Sequence, residues 1–339
     1  MQLLIRCTHF QGLPEASRAW FSYTCGPDGF LQNPPSNLTP NISDPCVLLW
    51  REPPTLDPKT TGKVTIGIST DDNLECITQN KASRDHLLII WQAYADHGIE
   101  YIVTNLPDQI IGIAISYTPT SITLTQPTQI YDLQNLFYPN DASVPITWTP
   151  LSSAWSEETR NFSSPTSIDL HRSAVGILLF LGRSRFDSIN TISRHSSRTT
   201  QHTQLDYLDM SHHVAYIITT RHIGKTYYAS NRPDNSPYLL TSTSNYGHGI
   251  YSNELGQLGT AIVGGYGFRQ QSAPIYATSN KDIGLLAITT PDGELKALIK
   301  VVKTTLDLIE LVTDLSYPQP AVPIEIDSQA VQLVARDFS

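Results

Sequence analysis

The chain is short of charge. Asp, Glu, Lys and Arg make up 16% of its 339 residues, against about 25% in an ordinary soluble domain. Basic residues are the scarcer kind: 22 Lys and Arg stand against 31 Asp and Glu, a net charge of −9. Affinity for phosphate backbones comes from Lys and Arg displacing counterions. The balance therefore speaks against wrapping a genome and leaves nucleic-acid contact minor. Cysteine is scarce too: Cys7, Cys25, Cys46 and Cys76 form no C-x-x-C unit, which excludes a zinc knuckle or a disulfide framework. The longest apolar run, Ala174 to Leu181, falls far below the roughly 20 residues that cross a bilayer. Arg6 and His9 interrupt the short apolar start, so no signal-peptide core is read there. These absences give the expectation of a protein made in a reducing cytoplasm, with no membrane contact.

What fills the surface instead is Ser, Thr, Asn, Gln, Pro and Tyr. Neutral polar faces avoid the desolvation cost of burying charges between subunits, so they suit a chain covered by neighbouring copies. Nine prolines from Pro14 to Pro58 break helices and deprive central strands of donors. Residues 1–62 then read as an extended arm or a cap, with a short strand near Val47 to Trp50. Residues 63–150 read as an α/β sheet region. Val64, Ile66 and Ile68 alternate as a half-buried strand, a helix runs from Leu87 to His97 and closes at Gly98, and Ile99 to Val103 follows as a strand, a β-α-β unit. Ile111 to Tyr117 and Ile122 to Leu124 alternate as further sheet.

Residues 151–316 read as a mixed α+β region. It holds an all-round apolar helix from Leu170 to Leu181 and a polar surface loop over 188–204. Strands are expected at Val214 to Thr219, Thr226 to Ala229 and Ile283 to Ile288, with a turn at Pro291-Asp292-Gly293. A last helix sets Leu295, Ile299, Val302, Leu306 and Ile309 on one face and Lys296, Lys300, Lys303, Asp307, Glu310 and Asp314 on the other. A tail, 317–339, closes the chain. The fold class is α+β: mixed, mainly antiparallel sheets, about three substantial helices and extended Pro-rich termini.

Familiar catalytic signatures are missing. Gly224-Lys225-Thr226 ends like a phosphate loop, but Thr219 stands where its first glycine belongs, and neither G-x-S-x-G nor H-E-x-x-H occurs. Asp206, Asp209, His212 and His213 have metal-ligating chemistry, yet adjacent histidines on a strand would face opposite ways. No metal and no cofactor is assigned. Arg194, His195, Arg198 and His202 mark the polar loop as a possible interaction surface.

Gly247-His248-Gly249-Ile250-Tyr251 resembles the G-x-G-I-Y stretch of the poly(ADP-ribose) polymerase family, and Ser242-Thr243-Ser244 is similar to the S-T-S element of other ADP-ribosyltransferases. That resemblance implies an NAD-using enzyme with His222 on the ribose, Tyr251 on the nicotinamide and Glu294 or Glu325 at the transition state. His222-Ile223-Gly224 departs from the family's direct His-Gly pair. In composition the chain resembles capsid proteins of non-enveloped double-stranded RNA viruses. That implies a structural shell or shell-cementing subunit, partnered by its own copies and other shell proteins, residing in the virion and assembled in host cytoplasm. The shell subunit is the leading expectation, and the ADP-ribosyltransferase its alternative.

Overall fold

The computed structural model describes residues 2–7, 16–53, 61–69, 72–140, 142–152, 168–200, 203–228, 238–247, 256–266, 273–282, 289–315, 317–319, 321–329 and 331–332. It divides into two compact units, residues 1–111 with 307–318 and residues 112–306 with 319–339. The division falls at Ile111, not near Pro150.

Unit 1 is built on one six-stranded antiparallel sheet. Its strands are β1 (Gln2–Cys7), β2 (Thr39–Pro40), β3 (Val47–Arg51), β4 (Lys63–Ile68), β5 (Asp72–Ile77) and β6 (Tyr101–Asn105), in the order β2-β3-β4-β5-β1-β6. Helix α1 (Ala16–Cys25) precedes β2, and α2 (Lys81–Asp96) joins β5 to β6. Because β1 pairs antiparallel with both β5 and β6, those two run parallel on either side of it. The unit is thus a split β-α-β, entered from β5 and not from β4 as the alternation implied.

Local chemistry fixes α2 at both ends. Asn80 caps its start by accepting from the Ser83 backbone N–H at 2.9 Å. Gly98, at φ +69°, ends it in a left-handed conformation that costs glycine little. His86, Leu87, Ile90, Ala93 and Tyr94 are buried at helical spacing. They pack with Leu48, Val64 and Ile66 of the sheet, each large aliphatic contributing roughly 1.5–3 kcal/mol. The proline-punctuated start joins the same core through Trp20, Phe30, Leu31 and Leu38.

Unit 2 opens with a hairpin of β8 (Ile113–Thr118) and β9 (Ser121–Thr125), extended antiparallel by β10 (Lys225–Tyr228); a two-residue strand β7 (Gln109–Ile110) lies just before the division. Helices α3 (Pro127–Phe137), α4 (Ile168–Leu181), α5 (Ile189–Ser196) and α6 (Gln204–Thr219) follow. A shared core of Leu133, Phe137, Leu178, Leu181, Ile192, Met210, Val214 and Ile217 holds them together. The last sheet has strands β11 (Tyr238–Gly247), β12 (Gln257–Tyr266), β13 (Tyr276–Lys281) and β14 (Ile324–Glu325) in the order β13-β12-β11-β14. Its first three are antiparallel, β14 is parallel to β11, and α7 (Thr290–Asp314) lies between β13 and β14 in sequence.

The α+β class holds, with seven α-helices among the described residues in place of about three. Three corrections account for much of the difference. Val214 to Ile218 is a continuous apolar run, which periodicity alone reads equally as strand or buried helix. The capping box of Thr203 and Asp206 decides for helix α6. Within the polar loop expected over 188–204, residues 189–196 form α5, entered by a 3-10 turn (Phe186–Ser188); Thr191, Ile192 and His195 are its buried face. Pro291, Asp292 and Gly293 are the first turn of α7 and not a separate turn. The strand expected at 283–288 lies outside the described residues.

Helix α7 also turns the other way. Leu295, Ile299 and Leu306 of the apolar stripe are 37%, 60% and 59% exposed, while Ala297, Val301 and Thr305 are buried. Small residues win because the helix lies close to the sheet: Ala297 packs on Tyr246, and the Thr305 and Ser242 hydroxyls meet at 2.7 Å.

Candidate functional site

In unit 1 strand β4 ends at Ile68 and β5 begins at Asp72, and the two pair antiparallel as a hairpin. Ser69 N–H donates to the Asp72 carbonyl at 3.0 Å, closing the hairpin. Asp71 lies outside the described residues. Asp72 is buried, and its Oδ2 accepts from the Ile111 backbone N–H at 3.1 Å. The next inward positions brace the strand. Asn73 Nδ2 donates to the Tyr94 hydroxyl at 2.9 Å, and Trp91 Nε1 donates to Glu75 Oε2 at 3.0 Å. Burial pushes the Glu75 carboxyl up to about 8, against the Trp91 hydrogen bond that pulls it down. Glu75 is therefore chiefly a neutral acid in the core at pH 7, and the acidic pair at the turn is separate from it.

In unit 2 a cleft of about 660 Å³ lies between the start of α5 and the face of the last sheet that carries Thr243 and Asn245. Phe186 and Ile189 form an apolar wall, and Glu325 and Asp327 stand at the β14 edge. Glu294, in the first turn of α7, is buried, and its Oε1 accepts from the Tyr246 backbone N–H at 3.0 Å. Its Oε2 has no hydrogen-bond partner. Burial pushes its carboxyl up, the Tyr246 N–H pulls it down, and the Asp327 charge adds a smaller upward push. Two glycines make room for Tyr246: a Cβ at Gly256 or Gly293 would fall 2.1 or 2.0 Å from its ring.

A third polar cluster ties helices together. Arg185 is 1% exposed and pairs with Asp187 at 2.7 Å. It also donates to the Thr220 hydroxyl at 2.7 Å and the Thr220 carbonyl at 3.3 Å, at the end of α6. Tyr216 donates to Asp187 at 2.8 Å. Burial raises the Asp187 carboxyl, and the Arg185 and Tyr216 hydrogen bonds with the Arg185 charge outweigh it, leaving the group below its ordinary range.

His213 lies behind this cluster, fully buried, with neither ring nitrogen hydrogen-bonded among the described residues. Its ring stacks on His195 with centroids 5.4 Å apart. Burial, then the charges of Arg185 and His212, pull its imidazole down to about 3. The sign follows: the unfolded chain takes up a proton below about pH 6.5 and the folded one does not until about pH 3. The folded state therefore loses roughly 1.4 kcal/mol per pH unit across that window. His213→Leu removes that one-proton slope. Urea unfolding from pH 7 to 4 checks it, and identical slopes in the two proteins would refute the assignment.

The residues singled out from sequence are scattered. His222 is exposed in the turn between α6 and β10 and does not line the cleft. Glu325 lines it, Glu294 bonds the β11 backbone, and Tyr251 lies outside the described residues. Of the interaction loop, His195 is buried inside α5, Arg194 lies on the same helix, and Arg198 pairs with Asp206 at 3.6 Å; His202 is outside the described residues. His212 and His213 share a helix and not a strand, and no group of three His, Cys, Asp or Glu able to hold a metal occurs among the described residues. The sequence reading passed over Asp71-Asp72. Its signal was an acidic pair directly after an alternating strand, hidden because β5 carries Asn73 and Glu75 inward where apolar residues are the rule.

No family model and no curated protein matches the chain. Among solved structures it is similar to a foamy viral protease-reverse transcriptase in complex with dsDNA, at 16% identity and TM-score 0.47, covering 99% of this chain and 61% of that one. It is also similar to a foamy viral protease-reverse transcriptase in complex with an RNA/DNA hybrid, at 14% identity and TM-score 0.40, covering 78% of this chain and 36% of that one. The chain thus spans less than two thirds of the length of either.

Proposed function

We propose that this chain belongs to a nucleic-acid polymerase of the reverse-transcriptase kind, with unit 1 as the sheet that carries nucleotidyl transfer. The observation that carries the reading is buried Asp72 at the first position of β5, in the β4–β5 hairpin of a split β-α-β sheet, with a second acid, Asp71, directly before it in sequence. A divalent cation, where bound, would supply stabilisation of the charge that develops during nucleotidyl transfer. Adjacent carboxylates on a braced turn supply the hard oxygen donors Mg²⁺ takes. Asp71 and Asp72 would hold the cation, which lowers the cost of charge developing on the phosphoryl oxygens. The chain's own contribution is to fix that turn, through the Asp72–Ile111 and Asn73–Tyr94 hydrogen bonds.

The last sheet of unit 2 supports the same reading by fold analogy. Three antiparallel strands, a crossing helix and a fourth strand parallel to the first are the order of ribonuclease H-like folds. Its donor set does not fit two metals: Glu294 and Asp327 are acidic, but β11 presents Thr243 and Asn245. No cleavage step is derived for it.

Primer extension tests the proposal. The chain should extend a primed template in the presence of Mg²⁺, and Asp71→Asn should abolish the product. Failure of wild type to extend, or equal extension by the variant, would overturn it.

The shell-subunit reading stands as a second proposal on one observation, the exposed stripe Leu295, Ile299 and Leu306 on α7. It expects trimers or larger species by light scattering. A monomer at micromolar concentration would remove it.

A further inference from the structure

The segment 142–152 is an extended strap without a regular element. It is pinned to α6 by its backbone and by one side chain. Thr147 N–H donates to Thr219 Oγ1 at 3.4 Å, Thr147 Oγ1 meets His212 Nε2 at 3.3 Å, and the same ring nitrogen lies 3.0 Å from the Thr149 carbonyl. Val144 packs inward on the helical core of unit 2. With Thr147 turned inward, Ile146 and Trp148 face outward, 79% and 71% exposed. Pro145 and Pro150 bracket them, restricting the backbone. A large aromatic held out on a fixed backbone presents its face without further ordering of the chain.

Thr219, which takes the strap's hydrogen bond, is followed by Arg221 and His222, both exposed. Residues 142–152 contain no Asp or Glu. An exposed indole on a strap bonded to Thr219, two residues before the exposed Arg221, suits a ligand that is both anionic and faced with π surfaces. A hydrophobic protein pocket would use the indole and Ile146 but not the cations.

We infer that Trp148 is a stacking platform for the bases of a single nucleic-acid strand, with Ile146 beside it and Arg221 on the phosphates. The inference rests on the nucleic-acid reading for the class of ligand and adds a contact in unit 2 that this reading does not require. A stacking contact needs few phosphate neutralisations, so it is compatible with a net charge of −9.

Binding of a fluorescein-labelled oligothymidylate by the full chain, followed by anisotropy in EDTA, tests it. Trp148→Ala should weaken binding about tenfold or more, the worth of one stacked base. Trp148→Phe should keep most of the affinity, and Arg221→Ala should lower the salt dependence. Both positions are exposed, so unchanged thermal melting should accompany each variant. Equal affinity of Trp148→Ala and wild type overturns the inference. So does a Trp148→Ala variant that loses self-association while its oligonucleotide affinity is unchanged, since that marks a protein-docking strap. Extension lost in Asp71→Asn with unaltered Trp148→Ala binding would leave the polymerase reading standing and remove this inference alone; the reverse pattern would remove the polymerase reading and leave the strap.

Discussion

Asp71→Asn should lower the rate of Mg²⁺-dependent primer extension by about 10³-fold or more, roughly 4 kcal/mol of transition-state stabilisation at 1.36 kcal/mol per tenfold. The amide keeps the size of the side chain and removes its charge, so a hard cation loses an anionic oxygen ligand while the turn keeps its shape. The same exchange at Asp72 carries a second consequence. Its Oδ2 accepts the Ile111 N–H, and an asparagine oxygen still accepts that bond. Asp72→Asn should thus lose activity with little change in thermal melting. Single-turnover extension and calorimetry on the same preparations separate the two effects. A variant that melts far below wild type would mark Asp72 as structural.

Arg185→Leu should destabilise unit 2 by about 2–3 kcal/mol, less than the cost of breaking a fully buried ion pair because the Asp187 side chain is 23% exposed and keeps the Tyr216 hydrogen bond. The guanidinium is 1% exposed and serves Asp187, Thr220 and the Ile217 carbonyl together. Removing it strands a carboxylate and the end of α6 at once. Adding Asp187→Leu should recover part of the loss, because the buried charge then disappears, and the remaining deficit measures the α6 carbonyls. Arg185→Lys keeps the charge but loses the planar fork, so it should fall between. Urea unfolding of the three variants checks the order. A loss below about 1 kcal/mol in Arg185→Leu would place the pair among weak surface bridges.

Elements whose periodicity and end signals agreed could be read from the sequence. β4, with its alternation of Val64, Ile66 and Ile68, and α4, with its apolar run, stand where expected, while α2 ends at its Gly98 stop but begins six residues earlier than Leu87, at Lys81. Misreadings arose where tertiary contact overrode pattern. The stripe chosen for α7 is the larger and more apolar one, yet close approach to the sheet favours Ala297 and Thr305. In α6 the helix is announced eleven and eight residues upstream of Val214, by Thr203 and Asp206, and not within the apolar run itself. The candidate site was hidden for a related reason. Asn73 and Glu75 break the apolar rhythm of β5 because their partners, Tyr94 and Trp91, come from a helix later in the chain. No local pattern could reveal that satisfaction, and without β5 the Asp71-Asp72 pair belongs to no hairpin.

Metal binding without turnover reaches the central claim most directly. Titrating Mn²⁺ into the full chain and following the free ion by electron paramagnetic resonance should show a site that Mg²⁺ displaces and that Asp71→Asn with Asp72→Asn abolishes. The same Mn²⁺ isotherm in wild type and the double variant would contradict the account, because the hairpin turn would then hold no cation.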